Sequence, residues 1–274
     1  MRRSIRTGSL TLLLLLVASP MALATWSVIA VDRSTGEVVI ASATCVAQAR
    51  FAGFPAAGLM DVQAIVVPGK GVAAAQAGVD RTRANQQLIF EQLSLGTAPA
   101  DIIAMLSQDP RFASRQFGII DLQGRAAAHS GSDNGEFSLH AIGAVEGESI
   151  SFAVQGNILA GEAVVHDAVS ALRATEGSLT DRVMAAMEAA DAAGGDRRCT
   201  CETEPFPSAP CDAKTAHVAY ILKAGADDSS GDSFNDGDYD LYISVTDQDV
   251  TAGENANPVK TLRLRYDAWR AANR

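Results

Sequence analysis

The apolar segments of this chain come in neighbouring pairs of one kind, and that pairing limits the folds open to it more than any other feature. Residues 26–31 (WSVIAV) and 37–44 (EVVIASAT) are strand-like runs on either side of Asp32-Arg33-Ser34-Thr35-Gly36, a segment rich in turn formers. Residues 62–67 and 71–77 make a second such pair around Pro68-Gly69-Lys70-Gly71. Helical spacing follows. Leu88, Ile89 and Leu93 share one face, and Gly96 ends that helix. Ile102, Ile103 and Leu106 line the next, with Thr97 expected as its cap and Asp109-Pro110 as its stop. Extended runs return at 115–121, 125–129, 137–143 and 149–155, the last closed by Gly156-Asn157. Two more helices are expected, from Glu162 to Ala174 and from Leu179 to Ala193, before Gly194-Gly195. Strands 216–224 and 239–246 and a terminal helix from Pro258 to Ala272 complete the order. Clustered strands and paired helices are not a βαβ alternation. They predict an α+β fold, with antiparallel sheets covered by helix pairs in layers.

The amino terminus has a separate logic. Arg2, Arg3 and Arg6 precede the apolar run from Leu10 to Val17, Pro20 breaks the run, and Ala22-Leu23-Ala24 follows. Positive charge, a short apolar stretch and small residues form the pattern of a secretory signal peptide. The stretch is shorter than the ~20 residues that span a bilayer. Cleavage after Ala24 would make residues 1–24 a signal peptide and residues 25–274 one exported domain, periplasmic or secreted. Loss of the three arginines would take the net charge from −10 to −13. So acidic a surface argues against nucleic acid and against anionic membranes as partners.

Cys45, Cys199, Cys201 and Cys211 are the four cysteines. In an oxidising compartment they are disulfide candidates, and three pairings are open. Cys199 and Cys201 are too close in sequence to join each other without strain, so each is expected to reach Cys45 or Cys211. A zinc site is disfavoured, because the chain has no C-x-x-C pair and no histidine beside the cluster. No metal or other cofactor is expected.

Cleavage after Ala24 would also leave Thr25 with a free α-amine. Such an amine has a reference pKa of about 7.7–8.0, so part of it is neutral near pH 7. It can then take the proton of the neighbouring hydroxyl, directly or through one water, and one residue supplies both nucleophile and base. The strand that follows would hold the pair rigidly. Many mature proteins begin with threonine by accident of processing, so the sequence around Thr25 must support the reading.

That support comes from ordered motifs: the opening hairpin TWSVIAVD…EVVIASA, the segment Arg115-Gln116-x-Gly118…Asp121-x-x-Gly124-Arg125…His129-Ser130-Gly131, the run VQGNILAGE from Val154 to Glu162, and Gly194-Gly195-Asp196-Arg197-Arg198 after an alanine-rich helix. Together they resemble the bacterial domain-of-unknown-function family 1028, a relative of the N-terminal nucleophile hydrolases. The similarity covers nearly all of residues 25–224. It implies an αββα sandwich of two antiparallel sheets flanked by helix pairs. It also implies amide hydrolysis by Thr25, but it delivers no substrate. Proteasome-like relatives place a lysine near the end of the second strand. This chain has Ala43 and Thr44 there and no lysine before Lys70, which shifts the burden to the α-amine.

Other residues complete the candidate site. Asn157 is a candidate oxyanion donor, and Gly156 a residue that presents a backbone N–H or simply forms the turn. Asp196 and Arg197 are candidates for holding the amine or a substrate carboxylate, or for fixing their own loop. Asp32 fits a turn cap better than a role at Thr25, and His129 fits a hydrogen-bonded strand end. The acidic stretch 227–240 lacks the register of an EF-hand and reads as a solvated loop rather than a calcium site. The expectation is an exported N-terminal-threonine amidohydrolase for a small amide or peptide-like substrate, with a homo-oligomer left open. The alternative is a non-catalytic ligand-binding or scaffolding protein on the same fold.

Overall fold

The structure is a computed structural model that describes residues 25–54 and 56–273. The expected signal peptide lies outside these residues.

Strands β1 (Thr25–Asp32) and β2 (Glu37–Thr44) form the opening hairpin in full register, from Thr25 opposite Thr44 to Asp32 opposite Glu37. The turn is fastened by Asp32, whose Oδ1 accepts from the Ser34 amide at 2.8 Å and the Ser34 hydroxyl at 2.7 Å. Gly36 supplies the left-handed residue, with φ of 75°. The next pair departs from its sequence pattern. Residues 59–63 make a short helix, α1 (Leu59–Gln63), so β3 is only Ala64–Val67 before β4 (Gly71–Ala77). The helical turn buries Gln63 beneath the sheet.

Helices α2 (Ala84–Ser94) and α3 (Pro99–Leu106) follow as a pair. Thr97 does not cap α3. The helix starts after Ala98 with proline in its first turn, and the Thr97 hydroxyl donates to Gln92 Oε1 at 2.8 Å. Strands β5 (Arg115–Asp121), β6 (Ala126–Ser130), β7 (Leu139–Ala144) and β8 (Ile150–Asn157) come next. Gly156 and Asn157 are the last two residues of β8, which runs two residues beyond the expected 155 and closes at Asn157. Helices α4 (Ala163–Ala174) and α5 (Leu179–Ala192) form the second pair, and a Ser178–Asp181 capping box opens α5. Strands β9 (Val218–Ala224) and β10 (Leu241–Thr246) and helix α6 (Pro258–Ala272) complete the described chain.

The strands form two antiparallel sheets. One has six strands in the order β10-β9-β2-β1-β8-β7, and the other has four in the order β3-β4-β5-β6. The pleat of β1 explains the layers, because alternate side chains leave opposite faces. Trp26, Val28 and Ala30 pack against Val164, Leu172, Val183 and Met187 of α4 and α5. Ile29 and Val31 pack with Val66, Val72 and Ala74 of the smaller sheet. On that sheet's outer face, Ile65, Ala73 and Ile119 meet Ile89 and Leu93 of α2 and Ile102 and Leu106 of α3. The molecule is therefore an α+β arrangement of helices, sheet, sheet and helices. No helix among the described residues is long and apolar enough to cross a membrane.

Candidate active site

The face of the six-stranded sheet that meets its partner is apolar toward the Asp32 end of β1 and polar toward the Thr25 end. Thr25 lies between Thr44 of β2 and Asn157 of β8 in the strand register. Its side chain is on the inter-sheet side with Ser27, as the pleat requires. Thr25 Oγ1 donates to Thr44 Oγ1 at 3.2 Å, and Thr25 and Asn157 are both buried. Residues distant in sequence thus converge at the end of an inner strand pair.

Beneath them runs a ladder of buried glutamines. Gln76 Nε2 donates to the Thr25 carbonyl at 3.0 Å and to Gln116 Oε1 at 2.8 Å. Gln76 Oε1 accepts from Ser27 Oγ and from Gln63 Nε2, each at 2.7 Å. Tyr220 Oη donates to Gln63 Oε1 at 2.9 Å, and Gln116 Nε2 donates to the Gly156 carbonyl at 2.8 Å. Gln63, Gln76, Gln116 and Tyr220 are all buried, so each amide depends on the next for its partners. Burial pushes the Tyr220 hydroxyl well above its ordinary pKa, so it remains a donor. The ladder clamps Thr25 of β1 and Gly156 of the adjacent β8 to the smaller sheet.

The outer wall is the Gly194–Arg198 turn. Gly195 has φ of 47°, and a Cβ there would lie 2.7 Å from Trp26 Cη2, so only glycine fits under that ring. Asp196 forms a bridge with Leu159, and its Oδ2 accepts from the Cys45 amide at 3.0 Å. Arg198 grips the same carboxylate through Nε at 3.0 Å and Nη2 at 2.7 Å. The Asp196 side chain is fully buried. Arg197 is not its partner. It extends outward to an exposed ion pair with Glu136 at 2.5 Å. The structure therefore brings Thr25, Asn157, Gly156 and Asp196 to one end of the sandwich and sets Arg197 on the surface. Gly156 also has a packing reason to be glycine, since a Cβ would meet Leu159 Cδ2 at 2.7 Å. Ile158, just beyond Asn157, has φ of 53°, an outlier for a β-branched residue that marks the corner as strained.

The remaining candidates lie elsewhere. Asp32 is at the far end of β1, where Ser149 and Ser34 hold its carboxyl below the ordinary range despite the opposing effect of burial. His129 stacks on Phe112 at 3.6 Å between ring centroids and bonds the Phe112 carbonyl at 3.0 Å.

Cysteine pairing is resolved. Cys45 joins Cys199, and Cys201 joins Cys211, as an oxidising compartment permits. The first bridge fastens the residue after Thr44 to the loop after Asp196. Beside it opens a cavity of about 790 Å³ lined by Cys45, Arg50, Arg198, Phe206, His217 and Asp247, among others. It borders the Thr25 site, because the His217 amide donates to the Thr44 carbonyl at 2.8 Å. One sulfur each from Cys45 and Cys199 and a ring nitrogen of His217 lie within 4.8 Å of one another. Joined as a disulfide, those sulfurs are not thiolate ligands for a metal. Burial, with Lys214 and Arg198 nearby, holds the His217 pKa down to about 4, so its imidazole is neutral at pH 7.

The chain matches the model of a family of unknown function, DUF1028, over residues 25–203. It belongs to that family. Protein SPO2555 from Silicibacter pomeroyi, a solved structure described as DUF1028, is 21% identical to this chain with a TM-score of 0.63. That likeness covers 89% of this chain and 88% of SPO2555, and at such identity it speaks for the fold. No curated protein matches. The family match begins at Thr25 itself, the residue that opens β1.

Sequence reasoning missed the glutamine ladder, Thr44 and His217. A signal for part of it was present. Ser27, Ser42 and Gln76 interrupt otherwise apolar strands at alternate positions, which places polar groups on a buried face.

Proposed function

We propose that this DUF1028 member is an exported N-terminal-threonine amidohydrolase of the N-terminal nucleophile type, acting on a small amide or peptide-like substrate. The observation that carries the reading is the position of Thr25. It opens an inner strand, has neighbours on both sides, and has its carbonyl held by Gln76. Removal of residues 1–24 would leave a primary amine and a hydroxyl on a backbone held by these contacts, which supports the pre-positioning that such a nucleophile needs. The family match beginning at Thr25 supports the same boundary.

In the mechanism, Thr25 Oγ attacks the amide carbonyl carbon while its proton passes to the α-amine. The C–N bond then breaks as the α-ammonium returns the proton to the departing nitrogen. Water, deprotonated by the same amine, attacks the acyl ester and frees the carboxylic acid and Thr25. Asn157, beside Thr25 in register, is the candidate oxyanion donor. Asp196 acts as a positioning residue through Cys45 and Arg198. Residues 25–274 would fold as one mature domain in the periplasm or outside the cell.

The test compares processed wild type with Thr25→Ala and Thr25→Ser on an amide library. The expected outcome is hydrolysis by wild type and the serine variant and none by the alanine variant. Equal turnover by wild type and Thr25→Ala would refute the assignment.

A second reading is favoured by one observation. Ala43 and Thr44, not a lysine, lie at the end of β2. A protein that kept the sandwich to bind a ligand without turning it over would need no such base. It would bind ligand equally well with Thr25→Ala and would never be labelled at its terminus.

A further inference from the structure

The cavity beside the Cys45–Cys199 bridge carries polar groups that the proposed chemistry does not use. Arg50 lies on its wall, exposed, with no ion-pair partner among the described residues. Arg198, by contrast, is occupied by Asp196. Glu204 and Asp247 add two carboxylates to the same wall. Asp247 accepts from the Gln48 amide at 2.7 Å, and Lys214 is its nearby counter-charge. His217 is only 3% exposed, and its Nδ1 has no hydrogen-bond partner among the described residues. That nitrogen is sealed from solvent, so the groups the cavity offers a ligand are the charged and aromatic side chains along its wall. Phe206, 60% exposed on the same wall and backed by the Lys214 ammonium, offers an aromatic face.

These features select a ligand class. A purely anionic ligand would suit Arg50 but would meet Glu204 and Asp247. A purely cationic one would meet Arg50. A wall with both signs suits a molecule with both signs. Phe206 suits an apolar side chain. About 790 Å³ lies within the usual range of small-molecule sites, roughly 300–1,000 Å³, and accommodates a few residues of peptide.

We propose that this cavity binds a short peptide with both termini free, Arg50 pairing with its carboxylate and Asp247 and Glu204 with its ammonium group. The proposal rests on the amidohydrolase reading for the fate of the bound peptide, but not for the binding.

The test uses the processed full chain carrying Thr25→Ala, so that probes survive, and calorimetry at pH 7. The probes are alanyl-phenylalanine, its N-acetyl form, its C-terminal amide and the doubly blocked peptide. The free dipeptide is expected to bind at least about tenfold more tightly than either singly blocked form. Arg50→Ala should weaken the two probes with a free carboxylate and leave the other two unchanged. Asp247→Asn should do the same for the two probes with a free amine. Equal binding of the doubly blocked and free peptides, no binding of any probe at millimolar concentration, or an equal loss on all four probes in Arg50→Ala would overturn the proposal. If the binding pattern holds while wild type cleaves none of the four, the pocket stands and the amidohydrolase reading falls. If a terminus-directed electrophile labels wild-type Thr25 while blocking the peptide ends changes nothing, the reverse holds.

Discussion

Gln76 Nε2 donates to the carbonyl oxygen of Thr25 at 3.0 Å, across the gap between the two sheets. That bond ties the first residue of the large sheet to the central part of the small one, and it is one rung of a ladder with no water-exposed member among Gln63, Gln76 and Gln116. Gln76→Leu would leave Ser27, Gln63, Gln116 and the Thr25 carbonyl short of a partner. The expected loss is about 2–4 kcal/mol of folding stability, since each buried orphan costs more than a made bond contributes. Urea unfolding measures it, and a loss below about 1 kcal/mol would mean that the ladder is not a structural unit.

His217 should make stability depend on mildly acidic pH. Its folded pKa is about 4, against about 6.5 for an unperturbed imidazole. Between those values the unfolded chain binds a proton that the folded chain does not, so stability is full above the window and falls as pH drops through it. His140, also lowered by burial, acts in the same direction. From pH 7 to pH 5, His217 alone should remove about 2 kcal/mol. Unfolding of His217→Asn at the two values should show a correspondingly smaller difference than wild type.

The two disulfides should differ in weight. Cys45 and Cys199 are 154 residues apart, whereas Cys201 and Cys211 are 10 apart. Loop-closure entropy then assigns about 5 kcal/mol to the first and about 3 kcal/mol to the second. Paired Cys→Ser variants, unfolded by denaturant, should rank in that order. The Cys45–Cys199 variant should also disturb the Thr25 site, because Cys45 follows Thr44.

Gly195→Ala should cost about 2–4 kcal/mol, because it combines a left-handed backbone with a methyl group driven into Trp26. Thermal unfolding would report it. A neutral effect would mean that the Gly194–Arg198 turn is not packed as described.

The layered architecture was legible because strand pairs and helix pairs each have a local signature. The terminal helix, for example, spans the expected residues, Pro258–Ala272. Boundaries failed where tertiary contacts override local pattern. Residues 62–67 read as a strand, yet Val62 and Gln63 end a helical turn because Gln63 must reach Gln76 and Tyr220. Asn157 read either as an oxyanion donor or as a turn residue, and it is the last residue of β8, opposite Thr25. Thr25 and Asp196 were legible as candidates from motif and position. The partner of Asp196 was not, since Arg197 and Arg198 are equivalent in sequence and only the path of the turn chooses Arg198. The glutamine ladder joins β1, α1, β4, β5, β8 and β9, and no local pattern encodes such a network.

Thr25 as a nucleophile freed by maturation is the central claim. Its most direct test is mass spectrometry of the exported protein after treatment with a β-lactone, with the adduct mapped by peptide fragmentation. The account requires a mature chain that begins at Thr25 and a single acyl group on that residue. A terminus at any other position, or a label that never reaches Thr25, would contradict it.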